Sequence, residues 1–62
     1  MRHCWVLDPP GTLGKWPGIV LEWRRSDDRG WWGHVAYAVE RDGGPVLVVE
    51  WLVAAYLAPV EP

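Results

Sequence analysis

Residues able to do covalent or acid–base chemistry are few in this chain. Its 62 residues include one cysteine (Cys4), one serine (Ser26), one threonine (Thr12) and two histidines (His3, His34), with no asparagine or glutamine. A nucleophile needs a base within hydrogen-bond reach and a third group to orient that base. His3 and Cys4 are sequence neighbours, and a strand turns neighbours to opposite faces. Cys4 and His34 meeting across strands is the remaining pairing, and a small buried cysteine is the commoner arrangement. Oxyanion donors would have to be backbone amides. A structural zinc needs four ligands, and His3, Cys4, His34 and a carboxylate show no paired spacing. The chain therefore reads as a non-enzyme that needs neither metal nor cofactor.

The aromatic residues are the stronger lead. Six tryptophans stand at positions 5, 16, 23, 31, 32 and 51. Each buried indole removes roughly 150–250 Å² from water, and a body of this size has little interior to give them. Trp23, Trp51 and one of Trp31 and Trp32 fall on apolar faces and read as core. Trp5, Trp16 and the other of the pair then remain for a surface groove with Tyr56. Arg24, Arg25 and Arg29 flank Trp31-Trp32, the one place where bases and rings interleave as they do in proteins that stack single-stranded nucleic acid. Asp27 and Asp28 sit among them and dilute the positive field.

Size and charge narrow the classes further. One domain spanning 1–62 is the most the length allows, and a chain so short buries only roughly 60% of its unfolded surface. A single cysteine rules out an internal disulfide, so large side chains, including nine valines, must stabilise the core. The formal net charge is −2, which offers a phosphate backbone or a membrane surface no long-range attraction. The longest apolar run falls far short of the ~20 residues of a spanning helix, and Met1-Arg2-His3 leads into a strand-like segment with no leader pattern. With one free thiol, the expected compartment is the reducing cytoplasm.

The elements that must position these residues are short strands. His3–Leu7 reads as the first, ended by Asp8-Pro9-Pro10-Gly11, with a loop continuing to Pro17-Gly18. Ile19–Arg25 alternates with period two, placing Ile19, Leu21 and Trp23 on one side and Val20, Glu22 and Arg24 on the other. A polar turn spans Ser26 to Gly30. Trp31–Arg41 is the longest strand, with Trp31, Gly33, Val35, Tyr37 and Val39 on one face and Trp32, His34, Ala36, Ala38 and Glu40 on the other. Asp42-Gly43 before Gly44 predicts a type I′ hairpin, whose two central residues take positive φ. Pro45–Trp51 is the return strand, Leu52–Leu57 a single 3-10 or α turn, and Ala58–Val60 a closing strand. Turn signals every ~8–12 residues, with no amphipathic helix long enough to cover a sheet, predict an all-β fold: a small five-stranded barrel that hides its apolar face by curling.

The C-terminal half resembles an SH3 domain. Trp31-Trp32 stands where that family carries paired tryptophans at the start of a long central strand. Leu52-Val53-Ala54-Ala55-Tyr56-Leu57-Ala58-Pro59-Val60 is similar to its closing segment, where a 3-10 turn bearing Pro-Ser-Asn-Tyr leads into the last strand. Val53 replaces the proline and Ala55 the asparagine, and the aromatic Ala-Leu-Tyr-Asp-Tyr strand has no counterpart. Trp16-Pro17-Gly18-Ile19-Val20, with Leu57-Ala58-Pro59 downstream, is similar to Tudor and PWWP barrels. The resemblance implies an SH3/Tudor-like barrel in which Trp31 and Tyr56 line a groove for polyproline ligands.

The expectation is a non-catalytic interaction module whose binding surface is Trp31, Trp16, Tyr56 and Trp5, with Trp32 as reserve. Its partner is a protein or an extended, proline-rich peptide, which is already ordered and loses little entropy on binding. Self-association through the same rings ranks next, beside nucleic-acid binding by Arg24, Arg25 and Arg29 with Trp31 and Trp32.

Overall fold

The computed structural model describes residues 2–60; Met1, Glu61 and Pro62 lie outside the described residues. It contains β1 (Arg2–Leu7), β2 (Lys15–Ser26), β3 (Gly30–Arg41), β4 (Gly44–Val53), a 3-10 turn (Ala54–Tyr56) and β5 (Leu57–Pro59). All strand pairings are antiparallel, and they form one sheet in the order β4-β3-β2-β1-β5. Strands β4 and β5 are its free edges. Among the described residues no helix is long and apolar enough to cross a membrane.

Strand β2 begins at Lys15, within what the sequence suggested was loop. Pro17 has no N–H to give, and it stands where β2 has a partner on one side only: it pairs with Trp5 of β1, while pairing with β3 starts at Gly18. Only Gly18–Val20 pair with both neighbours. Beyond them β2 leaves β1 and runs along β3 alone. The loop before it is closed by two 2.7 Å bonds, Asp8 N–H donating to the Gly14 carbonyl and Gly14 N–H to Asp8 Oδ1.

A β-bulge between Val20 and Glu22 changes the phase of this strand. Leu21 is the extra residue, so Ile19 pairs with Ala36 while Glu22 pairs with His34, and Val20 pairs with Val35 while Trp23 pairs with Gly33. Trp23 therefore shares a face with Val20, and Glu22 with Ile19. The even alternation read from the sequence holds only up to Val20, because a bulge sets two residues against one and bends its strand.

The hairpin between β3 and β4 turns at Asp42-Gly43 as expected, but by another geometry. Neither residue takes positive φ; Gly44 does, at 114°. The second glycine lets the left-handed step move one position on, which spares Asp42 a conformation its Cβ disfavours. The two faces of β3 are as the sequence proposed. Gly33, Val35, Tyr37 and Val39 are buried, while Trp32, His34, Ala36 and Ala38 are half-buried.

The core lies on the inner face, where Cys4, Val6, Val20, Val35, Tyr37, Val39 and Leu52 pack together with Trp16, Val48, Tyr56 and Leu57 against them. The sheet curls around this cluster. A Cβ at Gly33 of β3 would stand 2.8 Å from Leu57 Cδ1 of β5, although β2 and β1 intervene in the sheet. Glycine is what lets Leu57 reach across. Tyr37 donates a hydrogen bond to the Glu50 carboxylate, fastening β3 to β4 from within.

Candidate functional site

The bulge at Leu21 delivers Trp23 to the inner face, and the next pair along brings Trp31 beside it, opposite Arg25. The Trp23 ring lies over Gly33, 3.4 Å from where a Cβ would be. With Ala54 of the 3-10 turn, the two indoles line an open depression of about 490 Å³ at the end of the inner face. Trp23 is 44% and Trp31 51% exposed. Tyr56, two residues along the same turn, is half-buried and packs against the core. Of the surface expected from sequence, Trp31 and the turn that carries Tyr56 therefore come together.

The other three tryptophans of that expected surface go elsewhere. Trp16 packs against the core and donates its indole N–H to the Leu13 carbonyl at 3.1 Å. Trp5 pairs with Pro17 and Ala58 on the outer face, where the Lys15 ammonium sits 4.4 Å from its ring centroid. Trp32 is on the outer face too, and its indole N–H donates to Ser26 Oγ at 3.1 Å. The same hydroxyl accepts the Arg29 N–H at 3.2 Å, tying Trp32 to the β2–β3 turn.

Two tryptophans expected in the core are exposed. Trp23 reaches the inner face through the bulge but lies beyond the packed cluster, at the open end it shares with Trp31 and Ala54. Trp51 lies on the outer face of edge strand β4, which among the described residues no other element covers. It stacks on His34 at 4.7 Å and 12°, with the Arg24 guanidinium 5.6 Å from its ring.

The arginines do not gather into one basic patch. Arg24, on the outer face, pairs with Glu22 at 3.1 Å. Arg25 is on the inner face opposite Trp31. Arg29 is in the turn, 6.0 Å from the Trp32 ring. The adjacent rings Trp31 and Trp32 face opposite sides. Cys4 is buried on the inner face, where burial pushes its thiol pKa up, while His3 and His34 pair with outer-face positions. The cross-strand meeting of Cys4 with His34 is thus not formed. Among the described residues no three His, Cys, Asp or Glu side chains converge as metal ligands.

A second concavity, of about 500 Å³, lies on the outer face. Its middle is small, made of Ala36 and Ala38 of β3, and its walls are Trp5, Ile19, Leu47 and Val60. No protein-family model, curated protein or solved structure matches the chain.

Proposed function

We propose that the chain is a non-catalytic interaction module of the SH3/Tudor-like barrel type. In this reading it binds an extended, proline-rich segment of a partner protein against Trp23, Trp31 and Ala54. The observation that carries it is the pair of indoles, each about half exposed, set side by side on the paired strands β2 and β3. Ordered rings lose little entropy when a ligand arrives, and a polyproline ligand is itself already ordered. The reach of Leu57 to Gly33 across the sheet supports the barrel, and the position of the 3-10 turn beside Trp31 supports a groove of the SH3 kind. Arg25, next to Trp31 on the same face, suits an acidic residue flanking the proline-rich stretch. The lone thiol of Cys4 suits a cytoplasmic setting.

An array of extended peptides, proline-rich and proline-free, tests the reading. Binding to the proline-rich set should fall roughly tenfold or more in Trp31→Ala, and should change little between low and moderate salt. Nucleic-acid binding would instead fall steeply with salt and with Arg24→Glu and Arg25→Glu. Wild type and Trp31→Ala giving the same peptide profile would end the proposal.

A further inference from the structure

The outer face of the sheet is too apolar to be an ordinary wet face. Antiparallel sheets with one covered face usually carry polar residues on the other. Here the cross-strand register lays down two apolar rows. Leu47 pairs with Ala38, and Val49 with Ala36, which pairs in turn with Ile19. The formally charged residues Lys15, Glu22, Arg24 and Glu40 lie around this region, and the titratable His3, paired with Ile19, lines the trough. An apolar centre inside a charged rim is the anatomy of a protein interface.

Relief on this face runs along the strands. Leu47 and Val49 of β4 stand as a ridge, and Leu47 at 70% is the most exposed large apolar residue of any strand. Beside the ridge, Ala36 and Ala38 form the floor of a trough, and Trp5 and Ile19 form its far wall. A knob and a hole of matching chemistry thus sit side by side on one surface. That arrangement is self-complementary: under a two-fold axis the ridge of each molecule enters the trough of the other, as an isologous contact requires. A foreign ligand filling the trough would touch Leu47 only along its flank and would leave Val49, which is no part of the wall, in water.

We infer that two copies of this chain pack by their outer faces, with Leu47 of each seated over Ala36 and Ala38 of its partner. Area permits it. The molecule's two longer dimensions are 38 and 28 Å, whereas a standard interface buries about 800 Å² per partner. Charge permits it too, since the net −2 is small and the centre of the face is uncharged. The contact is independent of the peptide reading, because the Trp23–Trp31 depression opens on the opposite face.

Sedimentation velocity from low micromolar to near-millimolar concentration tests it, on wild type, Leu47→Lys, Ala38→Gln and Trp31→Ala. Leu47 is exposed, so its replacement leaves the fold intact, which circular dichroism checks. Wild type and Trp31→Ala should pass from monomer to dimer over this range. Leu47→Lys removes the knob and Ala38→Gln fills the hole, and each should raise the dissociation constant roughly tenfold or more. Wild type that stays monomeric at the highest concentration overturns the inference, as does a Leu47→Lys protein that dimerises as wild type does. Monomeric wild type whose Leu47 resonances move on adding a peptide also overturns it, and assigns the face to a foreign ligand.

Discussion

The bond from Tyr37 to Glu50 joins the strand that carries Trp31 to the strand that carries Leu47, so its strength bears on both surfaces. Tyr37 is 3% exposed, and its phenol is pushed up to about 12, first by burial and then by the hydrogen bond to the Glu50 carboxylate and by its charge. Replacing Tyr37 by Phe removes one oxygen, opens no sizeable cavity and strands a half-buried carboxylate. A bond to a charged group contributes ~1.5–3 kcal/mol when buried; Glu50 is only half-buried, so about 1–2 kcal/mol is expected at neutral pH. The pH dependence is the sharper test. A folded-state pKa raised above the ordinary ~10 of tyrosine gives stability that is complete below pH ~10 and is lost as pH rises toward about 12. Wild type should lose roughly 1.4 kcal/mol by pH ~11 and roughly 2 kcal/mol by pH ~12 from this group alone, at 1.36 kcal/mol per pH unit. Tyr37→Phe should lack that part of the alkaline decline, so the two urea-unfolding curves converge and then cross. Tyrosinate absorbance provides a second readout, since only Tyr37 and Tyr56 contribute. Unfolding free energies that run parallel from pH ~8 to pH ~12 would refute the argument.

Cys4, buried and with its thiol raised, should react with a disulfide reagent far more slowly in the native protein at pH ~8 than in urea, and stopped assays on both states measure the ratio. Gly44→Ala places a side chain at φ 114° and should cost about 1 kcal/mol or more in chemical unfolding, whereas Gly43→Ala, without positive φ and with open space around its Cβ, should cost less.

Much of the fold was legible because β3 states its two faces in side-chain size. Val35, Tyr37 and Val39 alternate with Ala36 and Ala38, and the large set is the buried one. The turns were legible through Asp-Gly and the Ser26–Gly30 run. What the sequence hid was phase. Leu21 is an apolar residue in an alternating apolar strand, and nothing in its type announces an extra residue. One residue of slip exchanges the faces of all that follows, so Trp23 parts from Ile19 and joins Val20 and Trp31 on the inner face, where it lies past the packed cluster and stays exposed. Trp51 was misread for a different reason. Its strand is apolar at consecutive positions from Val46 to Val49, as a strand covered on both faces would be, whereas β4 is an edge strand whose outer side leaves Leu47, Val49 and Trp51 exposed. The expected groove failed to gather Trp5 and Trp32 because neighbouring strand positions cannot share a face: Trp32 is parted from Trp31, and Trp5, between the buried Cys4 and Val6, is turned to the outer face.

The two candidate surfaces differ in form, and the difference suits the two different tasks proposed for them. At the Trp23–Trp31 depression the rings are few, flank one arginine and border a turn, so a narrow extended ligand can cover them completely. On the outer face the apolar area spreads over four strands, and its highest point, Leu47, is useful only to a partner with a matching hollow. A peptide lying in the alanine trough would touch only the flank of Leu47 and leave Val49 wet, whereas the proposed second copy would cover ridge and trough at once. Were the tasks exchanged, Leu47→Lys would weaken peptide capture and leave the mass unchanged, while Trp31→Ala would dissociate the dimer. Running both variants through both assays therefore separates the assignments, and no single loss of folding can imitate the crossed pattern.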